Sequence, residues 1–294
     1  EGFNQFGKVT VYDRTPNAEI VARSQGAEIL LTNKTPLDEE TFCQLPELCY
    51  VGVLATGYNV VDVQAAGCRN ITVTNTPAYA TCAVGQMTFA LLLELCNHVQ
   101  NHSSGVKEGR WSNSPDFCYW DYPIVELEGK TMGIIGFGRI GKQVAQIGAA
   151  FGMNIMAYDV LQSDQLYPNC KWVELEELLE QSDVISLHCP LTSETEGIIK
   201  QETLNRMKSS AFLINTGRGS LIVEQDLAEA LNCGTIAGAG LDVLVEEPPA
   251  KDNLLLTAKN CLITPHIAWA AKEARERLMN IAINNLKLFL EGNP

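Results

Sequence analysis

One stretch constrains this chain more than any other: Thr131-Met-Gly-Ile-Ile-Gly136-Phe-Gly138-Arg139-Ile140-Gly141. An apolar run of strand character leads into G-x-G-x-x-G. A helical apolar period then continues from Ile140 through Val144, Ile147 and Phe151. A second strand-like run ends at Asp159, 18 residues after Gly141. This order of strand, turn, helix, strand and acid is the fingerprint of a dinucleotide-binding βαβ unit. Gly136 permits the tight turn, and Gly138 removes the Cβ that would block a pyrophosphate. Gly141 lets helix and strand pack closely, and Arg139 and Ile140 open the helix whose N-terminus faces the phosphates. Asp159 would accept hydrogen bonds from the ribose hydroxyls. A 2′-phosphate there would meet a carboxylate, and Val160 offers it no cation, so the pattern reads NAD (NADH) rather than NADP.

Around this unit, strand and helix alternate through most of the chain, which implies α/β with mostly parallel sheets. Strands are expected at Val9–Tyr12, Ile29–Thr32, Tyr50–Leu54 and Ile71–Val73, followed by a long helix from Ala80 to about Val99. The stretch from Ser103 to Tyr122 differs in character, with Trp111, Phe117, Tyr119 and Trp120, and reads as a linker or interface. A second series of strands is expected at Thr131–Ile135, Asn154–Tyr158, Val184–His188, Ala211–Asn215, Ile236–Asp242 and Cys261–Ile263. Helices are expected at Arg139–Phe151, Leu175–Gln181, Gln201–Met207, Glu224–Leu231 and Lys272–Leu290.

At 294 residues and 46% hydrophobic content the chain is long enough for two domains. Its net charge of −14 argues against nucleic acid, whose phosphates need clustered Lys and Arg. A small anionic ligand remains compatible if cations gather locally. No run approaches the ~20 apolar residues of a membrane span, no signal-peptide pattern opens the chain, and no membrane partner is expected. The first residue is not Met, so N-terminal sequence is expected to be missing. The ten cysteines, with no C-x-x-C pair and no metal spacing, read as buried free thiols of a cytoplasmic protein, with no metal site.

Three later segments carry polar residues at expected strand ends, the edge where ligands bind in an open α/β sheet. Phe212-Leu-Ile-Asn-Thr216-Gly-Arg218 ends in Arg218, Gly240-Leu-Asp242 runs on to Glu247 before a Pro pair, and Leu262-Ile-Thr-Pro265-His266 ends in His266. Hydride chemistry on a dinucleotide bound at such an edge needs a proton donor and a grip on the substrate. His266 supplies the proton near neutral pH. Glu247, preferred to Glu246 for its adjacency to Pro, would stabilise positive charge on that ring. Arg218 offers a planar fork matched to a carboxylate. His188 either lines the cofactor pocket or is structural. His98 and His102 carry no chemistry.

In order and content, Gly136-x-Gly138-x-x-Gly141, Asp159, Leu187-His188-Cys-Pro190, Asn215-Thr216-Gly-Arg218-Gly, Glu247-Pro and Pro265-His266 closely resemble the D-isomer-specific 2-hydroxyacid dehydrogenases. The resemblance covers nearly the whole chain. It implies a Rossmann-type doubly wound parallel sheet inserted into a smaller flavodoxin-like substrate domain. Residues 1–97 and 270–294 would form the substrate domain, and residues 98–269 the NAD-binding domain. It further implies that Thr216 and Asp242 contact the cofactor, Asp242 at the nicotinamide amide. Backbone N–H groups of Ala55, Thr56 and Gly57 would give a second carboxylate grip beside Arg218 and His266. The aromatic stretch would mediate a homodimer.

Leu54-Ala-Thr-Gly-Tyr-Asn59 and His266-Ile-Ala-Trp269 look most like the glycerate dehydrogenase (hydroxypyruvate reductase) branch, which interconverts hydroxypyruvate, and secondarily glyoxylate, with the hydroxy acid. Phosphoglycerate and D-lactate are the alternatives. Against phosphoglycerate stand the uncharged Leu54–Asn59 loop and the lack of a regulatory domain, and against formate stands Glu247 where that branch has Gln. A dinucleotide-sensing corepressor shares the fold, but no peptide groove or disordered tail is evident here.

Overall fold

A computed structural model describes residues 2–162 and 170–293. The chain divides into two compact units, Glu1–Ala80 with Ala270–Pro294, and Thr81–Trp269. In the first unit, β1 (Ile29–Thr32), β2 (Tyr50–Val53) and β3 (Thr72–Thr74) form a parallel sheet in the order β1-β2-β3. Short helices α1 (Ile20–Ser24), α2 (Glu39–Cys43) and α3 (Val63–Cys68) connect them. Two of these helices start where a carboxylate satisfies an orphan N–H: Asp38 accepts from Thr41 and Asp62 from Ala65, each at 2.9 Å. Phe42, Leu45, Val51, Val53 and Ala66 pack between these helices and the sheet. The terminal helix, Lys272–Leu290, closes the unit by setting Ala282 and Leu286 against Phe3 and Tyr50.

Val9–Tyr12 is not a strand. Its alternating pattern supplies strand propensity, but among the described residues β1 pairs only with β2. With no neighbour to hydrogen-bond, Val11 is left 79% exposed. Tyr12 instead lies beneath the Arg23 guanidinium, 4.5 Å from its ring centre.

The second unit holds helices α4 (Thr81–Asn97), α5 (Val99–Lys107), α6 (Arg139–Ala150), α7 (Leu175–Gln181), α8 (Gln201–Leu204) and α9 (Glu224–Cys233), the terminal helix being α10. Its strands are β4 (Thr131–Ile135), β5 (Asn154–Tyr158), β6 (Cys170–Trp172), β7 (Val184–Leu187), β8 (Phe212–Asn215), β9 (Gly238–Leu241) and β10 (Cys261–Ile263). All seven are parallel, in the order β10-β9-β8-β7-β4-β5-β6. Alternate residues feed opposite cores, as a sheet covered on both faces requires. Met132, Ile134 and Ile214 pack with Phe89, Leu92 and Val144, whereas Ile135 and Leu213 pack with Leu178, Leu227 and Leu231.

The unit boundary at Ala80 lies one helix earlier than the expected 97/98, because α4 buries Phe89, Leu92 and Leu95 in the core it shares with α6. The long helix also breaks at His98, which takes a left-handed backbone (φ 48°), and α5 turns away at 58°. No single helix among the described residues is long and apolar enough to cross a membrane. All ten cysteines are free, but Cys96 is the one that is buried, and Cys43, Cys68, Cys82, Cys118 and Cys233 are exposed. Apolar neighbours along the chain do not decide which side of a helix a residue takes, and Cys82 sits on the outside of α4.

Candidate active site

Because all seven strands of the second unit run parallel, their C-terminal ends lie along one edge. Connections leave β4 and β7 in opposite directions, which makes that pair the switch point. Gly136 leaves β4 with φ +92°, and a Cβ there would sit 2.2 Å from the Cys189 backbone nitrogen. At Gly141 a Cβ would sit 2.2 Å from the Gly136 carbonyl oxygen, so α6 presses directly on the turn. Gly138 differs. A Cβ there would meet no protein atom within 4 Å, and as N-cap it supplies no side-chain partner to the first turn of α6. Orphan N–H donors therefore face open space, the arrangement that binds phosphate.

Arg139 is exposed beside that space, while Ile140 packs back onto the core. The Asp159 carboxylate ties the turn to the end of β5, accepting from Phe137 N–H at 2.7 Å and Leu161 N–H at 3.1 Å. These residues fit a dinucleotide.

Behind this turn, Thr216 is buried with its hydroxyl 3.2 Å from that of Thr88. His188 follows β7 directly, with its Nε2 2.8 Å from the Ser186 hydroxyl. Burial pushes its pKa down to about 3, so the ring is neutral at physiological pH and serves as a hydrogen-bonding group.

Farther along the same edge, Glu247 and His266 meet. His266 Nδ1 lies 2.6 Å from Glu247 Oε2, with both side chains about one-third exposed. Residues 19 apart in sequence are joined because β9 and β10 are neighbours. Glu247 is held from its other oxygen, which accepts the Leu244 N–H at 3.2 Å. His266 takes a left-handed backbone (φ 53°), unusual for a side chain of its size. Its N–H is shared between the carbonyls of Asp242 and Thr264, at 2.8 and 2.9 Å.

Asp242, expected at the nicotinamide amide, is 1% exposed and spends both oxygens on this turn. Oδ1 accepts from the Thr264 hydroxyl at 2.6 Å and Ile267 N–H at 2.9 Å, and Oδ2 accepts from Ala268 N–H at 2.8 Å.

Arg218 is exposed at the end of β8, its Nη1 donating to the Gly217 carbonyl at 2.8 Å. Among the described residues it forms no ion pair with Glu247 or any other acid. The neighbouring segments do abut, since a Cβ on Gly219 would fall 2.0 Å from the Leu244 carbonyl carbon. The turn is locked by Asn215, whose amide donates to the Arg218 carbonyl (2.8 Å) and accepts from Gly217 N–H (3.0 Å). Such a site offers a fixed imidazole–carboxylate pair and a free guanidinium fork on one sheet edge.

Residues 89–268 match the family model described as D-isomer specific 2-hydroxyacid dehydrogenase, NAD binding domain. The chain belongs to the D-isomer-specific 2-hydroxyacid dehydrogenases. It is 54% identical to a hydroxypyruvate reductase of Blautia hydrogenotrophica, over all of this chain and 92% of that protein. It is 45% identical to a glycerate dehydrogenase of Methylorubrum extorquens, over 94% of this chain and 87% of that one. A D-lactate dehydrogenase from Aquifex aeolicus, solved with NAD and lactic acid, superposes with a TM-score of 0.82 at 32% identity, over 99% and 91% of the two chains. This dehydrogenase is accordingly an NAD-dependent oxidoreductase with a Rossmann-type fold.

Ala55, Thr56 and Gly57 lie in the first unit, after β2. Their loop is pinned through its carbonyls: Ala55 O accepts from Thr76 N–H at 3.0 Å and Thr56 O from Asn75 Nδ2 at 2.7 Å. Two residues of the dehydrogenase's second unit were not legible as site residues. Asn215 sits in a strand-end motif without an obvious task, and Trp269, three residues after His266, donates its indole N–H to the His266 carbonyl at 2.8 Å. The His-x-x-Trp spacing was the available signal for the latter.

Proposed function

We propose that this dehydrogenase reduces hydroxypyruvate to D-glycerate, and glyoxylate to glycolate, with Arg218, Glu247 and His266 as the catalytic set. The observation that carries the reading is the 2.6 Å pair of His266 and Glu247 on the ligand edge of the nucleotide-binding sheet. Reduction places a hydride on the carbonyl carbon and a proton on its oxygen. The bound dinucleotide supplies the hydride. His266 holds the proton on the ring nitrogen opposite Glu247 and delivers it to the developing alkoxide. Glu247 fixes the tautomer and faces the charge that the ring carries before transfer. Arg218 binds the substrate carboxylate in its fork and draws electron density from the keto oxygen. Backbone donors of Ala55, Thr56 and Gly57 serve as a second carboxylate grip.

The choice of hydroxypyruvate follows from the named relatives and from the uncharged Leu54–Asn59 loop, which gives a substrate phosphate no counter-charge. The test is NADH oxidation with hydroxypyruvate, glyoxylate, pyruvate and longer keto acids, for the parent and His266→Asn. Hydroxypyruvate should give the highest kcat/KM, and the variant should fall by about 10²–10⁴-fold. Preference for a bulky keto acid, or an undiminished variant, sinks the reading.

We further propose a cytoplasmic homodimer with no nucleic-acid or membrane partner, the thiols being free and the net charge −14. Its contact would be the aromatic segment after α5, where Phe117 is 88% and Trp120 66% exposed. Sedimentation equilibrium of Phe117→Glu combined with Trp120→Glu should then show monomer.

A further inference from the structure

We infer that Trp269 is a positioning residue for the His266 imidazole. This deepens the catalytic reading above and rests on it. The side chain at 266 reaches Glu247 from a left-handed backbone that a non-glycine residue holds only when its surroundings over-determine it. Five hydrogen bonds do so around it: the His266 N–H donates to the carbonyls of Asp242 and Thr264, and the Asp242 carboxylate accepts from the Thr264 hydroxyl and from the N–H groups of Ile267 and Ala268. On the C-terminal side the His266 carbonyl has one partner among the described residues, the indole Nε1–H of Trp269 at 2.8 Å. Trp269 is also the last residue of its unit. Its indole therefore ties the peptide after the imidazole at the point where the chain leaves the sheet. Without that bond the 266–267 peptide is held only at its Ile267 N–H, by Asp242 Oδ1, and a tilt of its carbonyl end moves the ring off the 2.6 Å contact with Glu247.

Two substitutions separate this from simple packing. Trp269→Phe keeps an aromatic ring and removes the donor. Trp269→His places a ring N–H at the indole nitrogen's distance from Cβ and removes the benzo ring. Trp269→Phe should lower kcat for keto-acid reduction about tenfold, the ~1.4 kcal/mol of one hydrogen bond, with NADH affinity by calorimetry unchanged. Trp269→His should regain most of the loss.

A readout independent of turnover is the downfield Nδ1–H proton resonance of the His266–Glu247 pair, absent in His266→Asn. It should broaden or vanish in Trp269→Phe and persist in Trp269→His. A Trp269→Phe protein with parental kcat and resonance overturns the proposal, as does equal loss in both variants tracking a lowered Tm. If His266→Asn keeps parental turnover, the catalytic reading fails instead, and the resonance still decides whether the indole positions the ring.

Discussion

Two charged residues at the site differ in how far the fold has fixed them, and this sets what each substitution should do. Glu247 is held on both oxygens, by His266 and by the Leu244 N–H. Glu247→Gln keeps the shape and one hydrogen bond but removes the charge facing the ring. We expect kcat for reduction to fall about 10–100-fold, the scale of a charge-assisted hydrogen bond, while NADH affinity holds. Stopped-flow measurement of hydride transfer checks it, and an unchanged rate would remove Glu247 from the catalytic set. Among the described residues the Arg218 guanidinium has only the Gly217 carbonyl as partner, so it can reorient onto a ligand. Arg218→Lys keeps the charge and loses the fork, so the loss should appear in KM for the keto acid at least as strongly as in kcat. A steady-state series at saturating NADH separates the two parameters.

At the level of elements, Gly136 and Gly138 after β4 make opposite predictions. Gly136→Ala forces a Cβ to 2.2 Å from backbone at φ +92°, so the β4–α6 turn must move. Overpacking and a left-handed alanine together should cost about 3 kcal/mol of stability, and NADH binding should go with it. Gly138→Ala meets no protein atom, so Tm should stay near the parent's while NADH affinity falls at least tenfold. Thermal melts paired with calorimetry test this split. If both variants melt alike and bind alike, the turn is not built around a ligand. Elements with strong local patterns, β4, β5, α7 and α10, were readable to the residue because apolar alternation or helical period coincides with burial there. Three features were not. Val9–Tyr12 has strand propensity but no partner, β6 is three residues at a sheet edge, and the break at His98 hides inside a continuous helical period. The site divided the same way. Residues that chemistry demands in a motif could be named in advance. Among the described residues the side chains of Asn215 and Trp269 bond to backbone partners that a linear reading does not display, and the bonds of Asp242 within the His266 turn were equally invisible there.

For the molecule as a whole, His188 links stability to pH without taking part in proton transfer. Its pKa is displaced from 6.5 to about 3 by burial, so folding favours the neutral ring. Between those values the unfolded chain binds a proton that the folded chain does not. Stability is therefore complete above pH 6.5 and declines as pH falls toward 3. Each pH unit in that window removes about 1.4 kcal/mol, or about 2 kcal/mol by pH 5. The depressed carboxylate of Asp183, which desolvation would raise but Lys208 and the Thr131 N–H lower, acts in the same direction only below its ordinary value of 3.8. Measurements from pH 7.5 to 5 therefore isolate the histidine. His188→Gln retains a side-chain amide for the Ser186 hydroxyl and cannot titrate. Its urea-unfolding free energy should change less over that range than the parent's, by about 2 kcal/mol, the remaining histidines being common to both proteins. Parallel stability curves for the two would mean that the His188 ring takes up its proton in the folded state as readily as in the unfolded one.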